Sequence, residues 1–304
     1  MKKIAVLLTC HNRKDKTVRC LTGLLRLKDA YNTLHQENEI DLWTYLTDDG
    51  CTDGTVEAIK GGIGNKMNLQ ILSGSGNLFW AGGMRFCWNE ALKHHEEWDY
   101  YLLLNDDVEL LDTMFDELFQ AEEFSKNQYR KEGIVSGFIC NPNDMIKTTY
   151  GGGVWLNKML AKQKRLTPSG HPQLCDMTNA NILLVPAMVV DKIGIFYKGY
   201  QHGLADYDYS NTARKKGIPV ILTANFCGKC EDDHSTYGEL AKKVTTMTFR
   251  ERKSYFRNPI HSSRDYLRYI ARVAPLRWPM VWLGRILNLY FPGFYYRMSG
   301  VRMN

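Results

Sequence analysis

The 304-residue sequence predicts an α/β fold with a mostly parallel central sheet and helices on both of its faces. Three observations predict it. Short apolar runs alternate with segments of helical period through the first hundred residues. Three of the four runs end in polar clusters, as parallel strands do when their carboxyl ends form a ligand-binding edge. The composition, 44% apolar and 24% charged, suits a packed core and argues against a disordered or fibrous chain.

Each element has its own signal. Residues 4–9 are an apolar run suited to a buried parallel strand. In residues 14–27 the apolar Val18, Leu21, Leu24 and Leu25 recur at helical spacing. Residues 42–47 read as a second strand ending in Asp48-Asp49-Gly50, and a helix starts at residues 55–59 behind the Asp53-Gly54 turn. Residues 69–72 are the third strand. Residues 82–98 are a helix with Trp88, Ala91 and Leu92 inward, and residues 100–104 are the fourth strand.

Further along, an acidic amphipathic helix covers residues 113–124. Gly151-Gly152-Gly153 reads as a turn before the basic stretch 158–165, and residues 182–186 and 220–224 read as strands. Asp206-Tyr207-Asp208-Tyr209 leads into a helix whose last turn, Arg214-Lys215-Lys216, meets Gly217 as its C′ residue. Either aspartate can be the N-cap. Asp208 suits that position better, which leaves Asp206 one step outside the helix and free for other work.

The charge is unevenly spread. Residues 242–304 hold 13 Lys/Arg against Glu251 and Asp265, so the net charge of +6 divides into an acidic body and a strongly basic tail. Such a tail predicts an anionic partner, nucleic acid or anionic lipid. The eight cysteines show no framework spacing and read as free thiols. Cys227-Gly-Lys-Cys230 is a CxxC without a second pair to complete a zinc site. The most apolar stretch, 280–296, carries Arg285 and Pro292, which argues against a spanning helix. The run 4–8 is too short for the core of a signal peptide, so an exported chain is not expected.

If the first strands are parallel, Thr9-Cys10-His11-Asn12, Asp48-Asp49 and Asn105-Asp106-Asp107 all lie at one sheet edge. Four carboxylates there repel one another, and a hard divalent cation bridging to phosphates is the natural compensation. The competing reading makes each aspartate the cap of the helix that follows. Gly74-Ser75-Gly76 follows the third strand and lacks the third glycine of a dinucleotide fingerprint, which excludes a Rossmann dehydrogenase.

These motifs, taken in order, resemble glycosyltransferase family 2, inverting sugar transferases of GT-A fold. The pieces that carry the resemblance are Thr9-Cys10-His11-Asn12-Arg13, Asp48-Asp49-Gly50-Cys51-Thr52-Asp53-Gly54-Thr55, residues 76–83 beginning Gly76-Asn77, and Asn105-Asp106-Asp107 at the DxD position. Asp206-Tyr207-Asp208-Tyr209 with Arg214 and Gly217 completes the set. The match covers roughly residues 1–235. Ala205 stands where the family usually has glutamate, and Asn105 occupies the first DxD position. The motif of processive polysaccharide synthases is absent, so the single-addition branch that builds lipopolysaccharide or capsule is the better likeness.

The resemblance implies a nucleotide-diphosphate sugar donor, UDP- or dTDP-linked, a lipid-linked or glycan acceptor and a divalent cation, Mg or Mn. It implies Asp206 as the catalytic base, and Asp107 at the metal with His234 as a second ligand. Thr9, Asn12, Asp48, Asp49, Gly76, Asn77 and Asp106 would hold the nucleotide sugar, and Trp80 either stacks on a sugar or fills core. The expected domain spans residues 1–240, with a nucleotide half to about 110 and an acceptor half beyond, followed by an extension over 241–304. Aromatic residues and arginines interleave in that extension. Nucleic acid is not expected, for no nucleic-acid fold motif accompanies it. An anionic membrane surface fits better, and places the protein in the cytoplasm at the inner face of the cell membrane. A non-catalytic nucleotide-sugar-binding relative remains the alternative, because Ala205 and Asn105 erode two motif positions. A nucleotidyltransferase, the other alternative, lacks its Gly-rich basic first loop here.

Overall fold

The computed structural model describes residues 1–232, 237–261 and 263–300. The chain opens with β1 (Lys2–Cys10), α1 (Lys14–Leu34), β2 (Ile40–Asp48), α2 (Thr55–Gly62), β3 (Asn68–Ser73), α3 (Phe79–Ala91) and β4 (Tyr100–Leu104). There follow β5 (Glu109–Leu110), α4 (Met114–Tyr129), β6 (Ile134–Asn141), β7 (Asp144–Tyr150), β8 (Gly152–Asn157) and β9 (Lys162–Arg165). Next come β10 (Gln173–Leu174), β11 (Met177–Thr178), β12 (Ile182–Pro186), α5 (Ala187–Ile193), α6 (Ala205–Lys215) and β13 (Val220–Lys229). The remaining helices are α7 (Tyr237–Thr246), α8 (Phe249–Tyr255), α9 (Ser263–Val273), α10 (Trp278–Tyr290) and α11 (Pro292–Met298).

The main sheet runs β10-β13-β6-β12-β4-β1-β2-β3. β1 pairs in parallel with β2 and β4, β2 with β3, and β6 with β13, whereas β12 runs antiparallel between β4 and β6. Side chains alternate across a strand, so β1 feeds two cores. Ile4, Val6, Leu8 and Cys10 join Leu21 and Leu24 of α1 and Leu118 of α4 on one face. Ala5 and Leu7 join Met84 and Trp88 of α3, with Tyr209 and Ala213 of α6, on the other. Helices therefore cover both faces, as the alternation predicts.

Several local expectations are corrected. Gly152 and Gly153 open β8 and are not a turn, because the backbones approach closely there: a Cβ on Gly152 would lie 2.7 Å from Met177 O and one on Gly153 2.7 Å from Lys164 O. β6 escapes a pattern search because Ser136 and Gly137 interrupt its apolar run, and Gly137 leaves room for Cys227, whose Cβ is 2.8 Å from where a glycine-replacing Cβ would stand. α6 begins at Ala205, so Asp206 and Asp208 both lie in its first turn and neither is the N-cap. Its end matches expectation, with Gly217 at φ +70° after the last turn.

The extension is not uniform. α9 buries Tyr269, Ile270 and Val273 in the core that α3 and α6 share. By contrast, none of α10 is buried, and α11 buries Tyr296 in a small cluster with Ala241 and Val244 of α7. No helix among the described residues is long and apolar enough to cross a membrane.

Candidate active site

Register brings the polar clusters together. Thr9 pairs with Thr47, Cys10 with Asp48, and Asp48 with Ser73, so the ends of β1, β2 and β3 are level. β4 lies against the other side of β1, which sets Asn105–Asp107 at the same edge. β12 runs the opposite way with Ile182 across from Leu104, so the residues just before it arrive there too. Asn105 N–H donates to Asn181 O at 3.0 Å, and Ala180 N–H donates to Asp206 Oδ2 at 3.0 Å. The expected base thus joins the edge from the far half of the sheet.

Asp49 organises the loop after β3. Its Oδ1 accepts from Gly76 N–H at 2.8 Å, and its Oδ2 accepts from Leu78 and Phe79 N–H at 2.9 Å each. Leu78 and Phe79 are the N-cap and first residue of α3, so a carboxylate 30 residues away in sequence takes two of the donors at its start, while Gln201 O accepts from Ala81 and Gly82 N–H. The Asp49 contact places the start of α3 at Phe79, three residues before the local pattern places it. Gly74 must be glycine here, since a Cβ would stand 2.8 Å from Asp49 Oδ1. Asp49 is buried and committed to this loop, and Asp48 is the more open of the pair. Thr9 lies below the edge against α3, where a Cβ on Gly83 would overlap its Oγ1.

Asn12 is exposed and left-handed at φ 52°, and its Oδ1 accepts from Thr52 N–H at 2.7 Å. Phe79 at φ 55° and Leu204 at φ 66° share that conformation, so three of the five non-glycine residues with positive φ among the described residues border the site. Backbone strain of this kind concentrates at functional positions. Asn77 is exposed at the loop tip beside Gly76, whose φ is +78°.

The acidic pair after β4 divides its work. Asp106 is buried, accepts from Thr17 Oγ1 at 2.9 Å, and has its pKa pushed up to about 6 by burial. Asp107 Oδ2 lies 2.6 Å from Arg13 Nη1, while its Oδ1 is buried with no hydrogen-bond partner among the described residues. A buried carboxylate oxygen without a donor costs free energy until something cationic meets it. Asp107 therefore fits a hard divalent cation. Asn105 Oδ1 accepts from Trp80 Nε1 at 2.7 Å, and Trp80 also packs on Phe196, so its ring lies in core contact at the site's margin.

Asp206 is 8% exposed, and burial raises its pKa to about 6. Its Oδ1 accepts from Tyr207 N–H at 2.9 Å. Asp208 is held elsewhere, with Arg272 Nε of α9 2.8 and 2.9 Å from its two oxygens. Asp265 of α9 accepts from the backbone N–H of Gln201, His202 and Gly203, just before α6. The extension therefore braces the segment that carries Asp206.

Thr9, Asn12, Asp48, Asp49, Gly76, Asn77, Asp106, Asp107 and Asp206 are all gathered at or beside this edge. His234 lies outside the described residues. Cys227 and Cys230 are buried, in and just after β13, and form no disulfide. Arg13, Cys10 and Cys51 lie at the same edge without an expected role. The need for a compensating cation was the signal that could have found Arg13.

No family model matches the chain, and no curated protein matches it in sequence. Solved structures do. The mannosyltransferase PcManGT of Pyrobaculum calidifontis, in complex with GDP-Man and Mn2+, is similar at TM-score 0.52 and 12% identity, over 98% of this chain and 79% of that one. S. aureus TarS 1–349 is similar at TM-score 0.54 and 15% identity, over 100% and 93% of the two chains. Its complex with UDP gives TM-score 0.56 at 12% identity over the same shares. At these identities the likeness establishes fold, and the fold is that of the GT-A glycosyltransferases.

Proposed function

We propose that the chain is an inverting glycosyltransferase of the family 2 type. It moves a sugar from a nucleotide-diphosphate donor, UDP- or dTDP-linked, to a lipid-linked or glycan acceptor in cell-surface polysaccharide synthesis. The observation that carries the reading is Asp107, with one oxygen on Arg13 and the other buried and unpartnered at the carboxyl edge of the parallel strands. The GDP-Man, Mn2+ and UDP bound by the neighbours support a nucleotide-sugar donor.

Asp107 would hold a Mg or Mn ion, which supplies positive charge to the departing diphosphate. Asn12, Asp48, Gly76 and Asn77 offer side-chain and backbone groups to the nucleoside, and Asp49 shapes the loop that presents Gly76 and Asn77. Arg13 lies where it can turn toward the diphosphate. Asp206 takes the proton of the acceptor hydroxyl as that oxygen bonds to C1 and the C1–O bond to the diphosphate breaks. A pKa of about 6 leaves it ionised at neutral pH yet basic enough to accept that proton.

The exposed α10–α11 surface supports action at a membrane. Trp278, Met280, Trp282, Leu283, Phe291 and Phe294 are exposed among arginines, the mixture that lies in a bilayer interface without crossing it. A cytoplasmic enzyme at the inner face of the cell membrane is the corresponding location. The test is transfer from labelled UDP-, dTDP- and GDP-sugars to a bacterial lipid extract by the full chain with Mn2+. Label in the lipid phase from one donor, with inverted anomeric configuration, is expected. No transfer from any donor, with nucleoside diphosphates failing to bind, would overturn the proposal.

A further inference from the structure

The turn after β2 folds a second cysteine over the end of β1. Cys10 and Asp48 are register partners across the β1–β2 pair. Gly50 at φ +78° reverses the chain, and Cys51 N–H donates to Asp48 Oδ1 at 2.8 Å. This leaves Cys51 Sγ 3.7 Å from Cys10 Sγ, with donor atoms of Cys10, Asp48 and Cys51 all within 4.8 Å of one another. Among the described residues no other trio of His, Cys, Asp or Glu side chains gathers as closely.

We infer that Cys10, Cys51 and Asp48 form a binding site for a thiophilic divalent cation of the Zn2+ class, distinct from the hard-cation position at Asp107. The spacing carries the inference. Two thiolates each about 2.3 Å from a tetrahedral Zn2+ stand about 3.8 Å apart, and the two sulfurs are already at 3.7 Å. Two thiols in S–H···S contact can stand equally close; what singles out this pair is the Asp48 carboxylate, whose oxygen lies within 4.8 Å of both sulfurs. Asn12 N–H lies 3.2 Å from Cys51 Sγ and donates to it, the outer-shell bond that steadies a metal-bound thiolate. Cys10 is buried, while Asp48 and Cys51 are half-buried and leave an open side for a fourth ligand from solvent.

The donor set separates the two cation sites by chemistry. Two sulfurs select Zn2+, Co2+ or Cd2+ over Mg2+, whereas the carboxylates at Asp107 select the reverse. Binding displaces both thiol protons to solvent, so affinity increases with pH. Asp48 is also offered to the nucleoside in the proposed function, so Zn2+ and nucleotide compete for that carboxylate, and the site is tested without nucleotide.

The experiment is titration of the full-length, reduced, EDTA-treated chain with Co2+ and then Zn2+, without nucleotide. One equivalent of Co2+ is expected to give a sulfur-to-cobalt charge-transfer band in the near ultraviolet and strong tetrahedral bands in the visible. Zn2+ should then bleach both, and Mg2+ in excess should not. C51S should weaken Co2+ binding at least about tenfold and remove much of the charge-transfer band, and D48N should weaken binding while keeping that band. A wild-type chain that takes up Co2+ without a charge-transfer band overturns the inference. So does a folded C51S with unchanged affinity and spectrum. The wild-type spectrum decides the matter even if a variant fails to fold.

Discussion

Arg13 Nη1 stands 2.6 Å from Asp107 Oδ2 and 3.4 Å from Asp106 Oδ1, so a cation from the first loop already faces the acidic pair that ends the fourth strand. Charge repulsion among the edge carboxylates calls for such a partner, and the chain supplies part of it. The arginine is 45% exposed, so its guanidinium can swing into solvent and leave the carboxylate to another cation. A divalent cation at Asp107 and the guanidinium then compete for one carboxylate. Arg13→Gln should tighten Mn2+ binding in the absence of nucleotide by roughly three- to tenfold, at most about 1.4 kcal/mol. Electron paramagnetic resonance of free Mn2+ measures this, and a loss of affinity would contradict it.

Asp49 tests the loop that presents Gly76 and Asn77. Removing its carboxylate leaves the amides of Gly76, Leu78 and Phe79 without their acceptor. An unsatisfied buried donor costs about 1–3 kcal/mol, and local relaxation offsets part of the total. Asp49→Ala should therefore destabilise the fold by on the order of 3 kcal/mol in urea unfolding. Wild-type stability would show that solvent satisfies those amides equally well.

Asp206 makes a prediction in pH. Burial raises its pKa from 3.8 to about 6, so the native state holds a proton that the unfolded chain has released between those values. Its contribution to stability is full below pH 3.8 and is lost as pH increases through about 6. Asp206→Asn cannot titrate. The stability of wild type relative to this variant should fall by on the order of 3 kcal/mol between pH 4 and pH 7. The transfer rate of wild type should increase with pH through about 6, and the variant should lose at least about a hundredfold in kcat with donor affinity nearly kept. A flat difference in stability would remove the buried titration, and near-normal turnover would place the base elsewhere.

Much of this site was legible in the sequence, because parallel strands announce themselves as apolar runs and their carboxyl ends as polar clusters. Asp48, Asp49, Asp106 and Asp107 could be set on one edge from pattern alone. What stayed hidden depends on contacts distant along the chain. The start of α3 is decided by Asp49, and β6 is interrupted at Ser136 and Gly137 to admit Cys227. The partner of Asp208 is Arg272, 64 residues on, a pairing no local spacing reveals. The sequence also left Asp206 outside its helix, whereas α6 begins one residue earlier.

The exposed aromatic surface of α10 and α11 predicts membrane docking with two components. Attraction of Lys/Arg to anionic lipid is worth on the order of 1 kcal/mol each near the surface and is screened by salt. Insertion of Trp278, Trp282 and Phe291 is not screened. In liposome flotation, binding of the full chain to anionic vesicles should weaken but persist at high salt. The Trp282→Ser, Phe291→Ser double variant should lose the salt-resistant part while keeping its fold, since neither side chain is buried. Indifference of the full chain to anionic vesicles, with salt-steep binding to single-stranded nucleic acid, would contradict the membrane reading.

Calorimetric titration of UDP, dTDP and GDP into the full chain, with Mn2+ and then with EDTA, tests the role of Asp107 most directly. One of these nucleotides should bind with Mn2+ and weaken markedly in EDTA. Asp107→Ala should weaken its Mn2+-supported binding at least tenfold, about 1.4 kcal/mol or more. Titration curves that superpose with Mn2+, with EDTA and in the folded variant would contradict a cation-assisted nucleotide site at this edge.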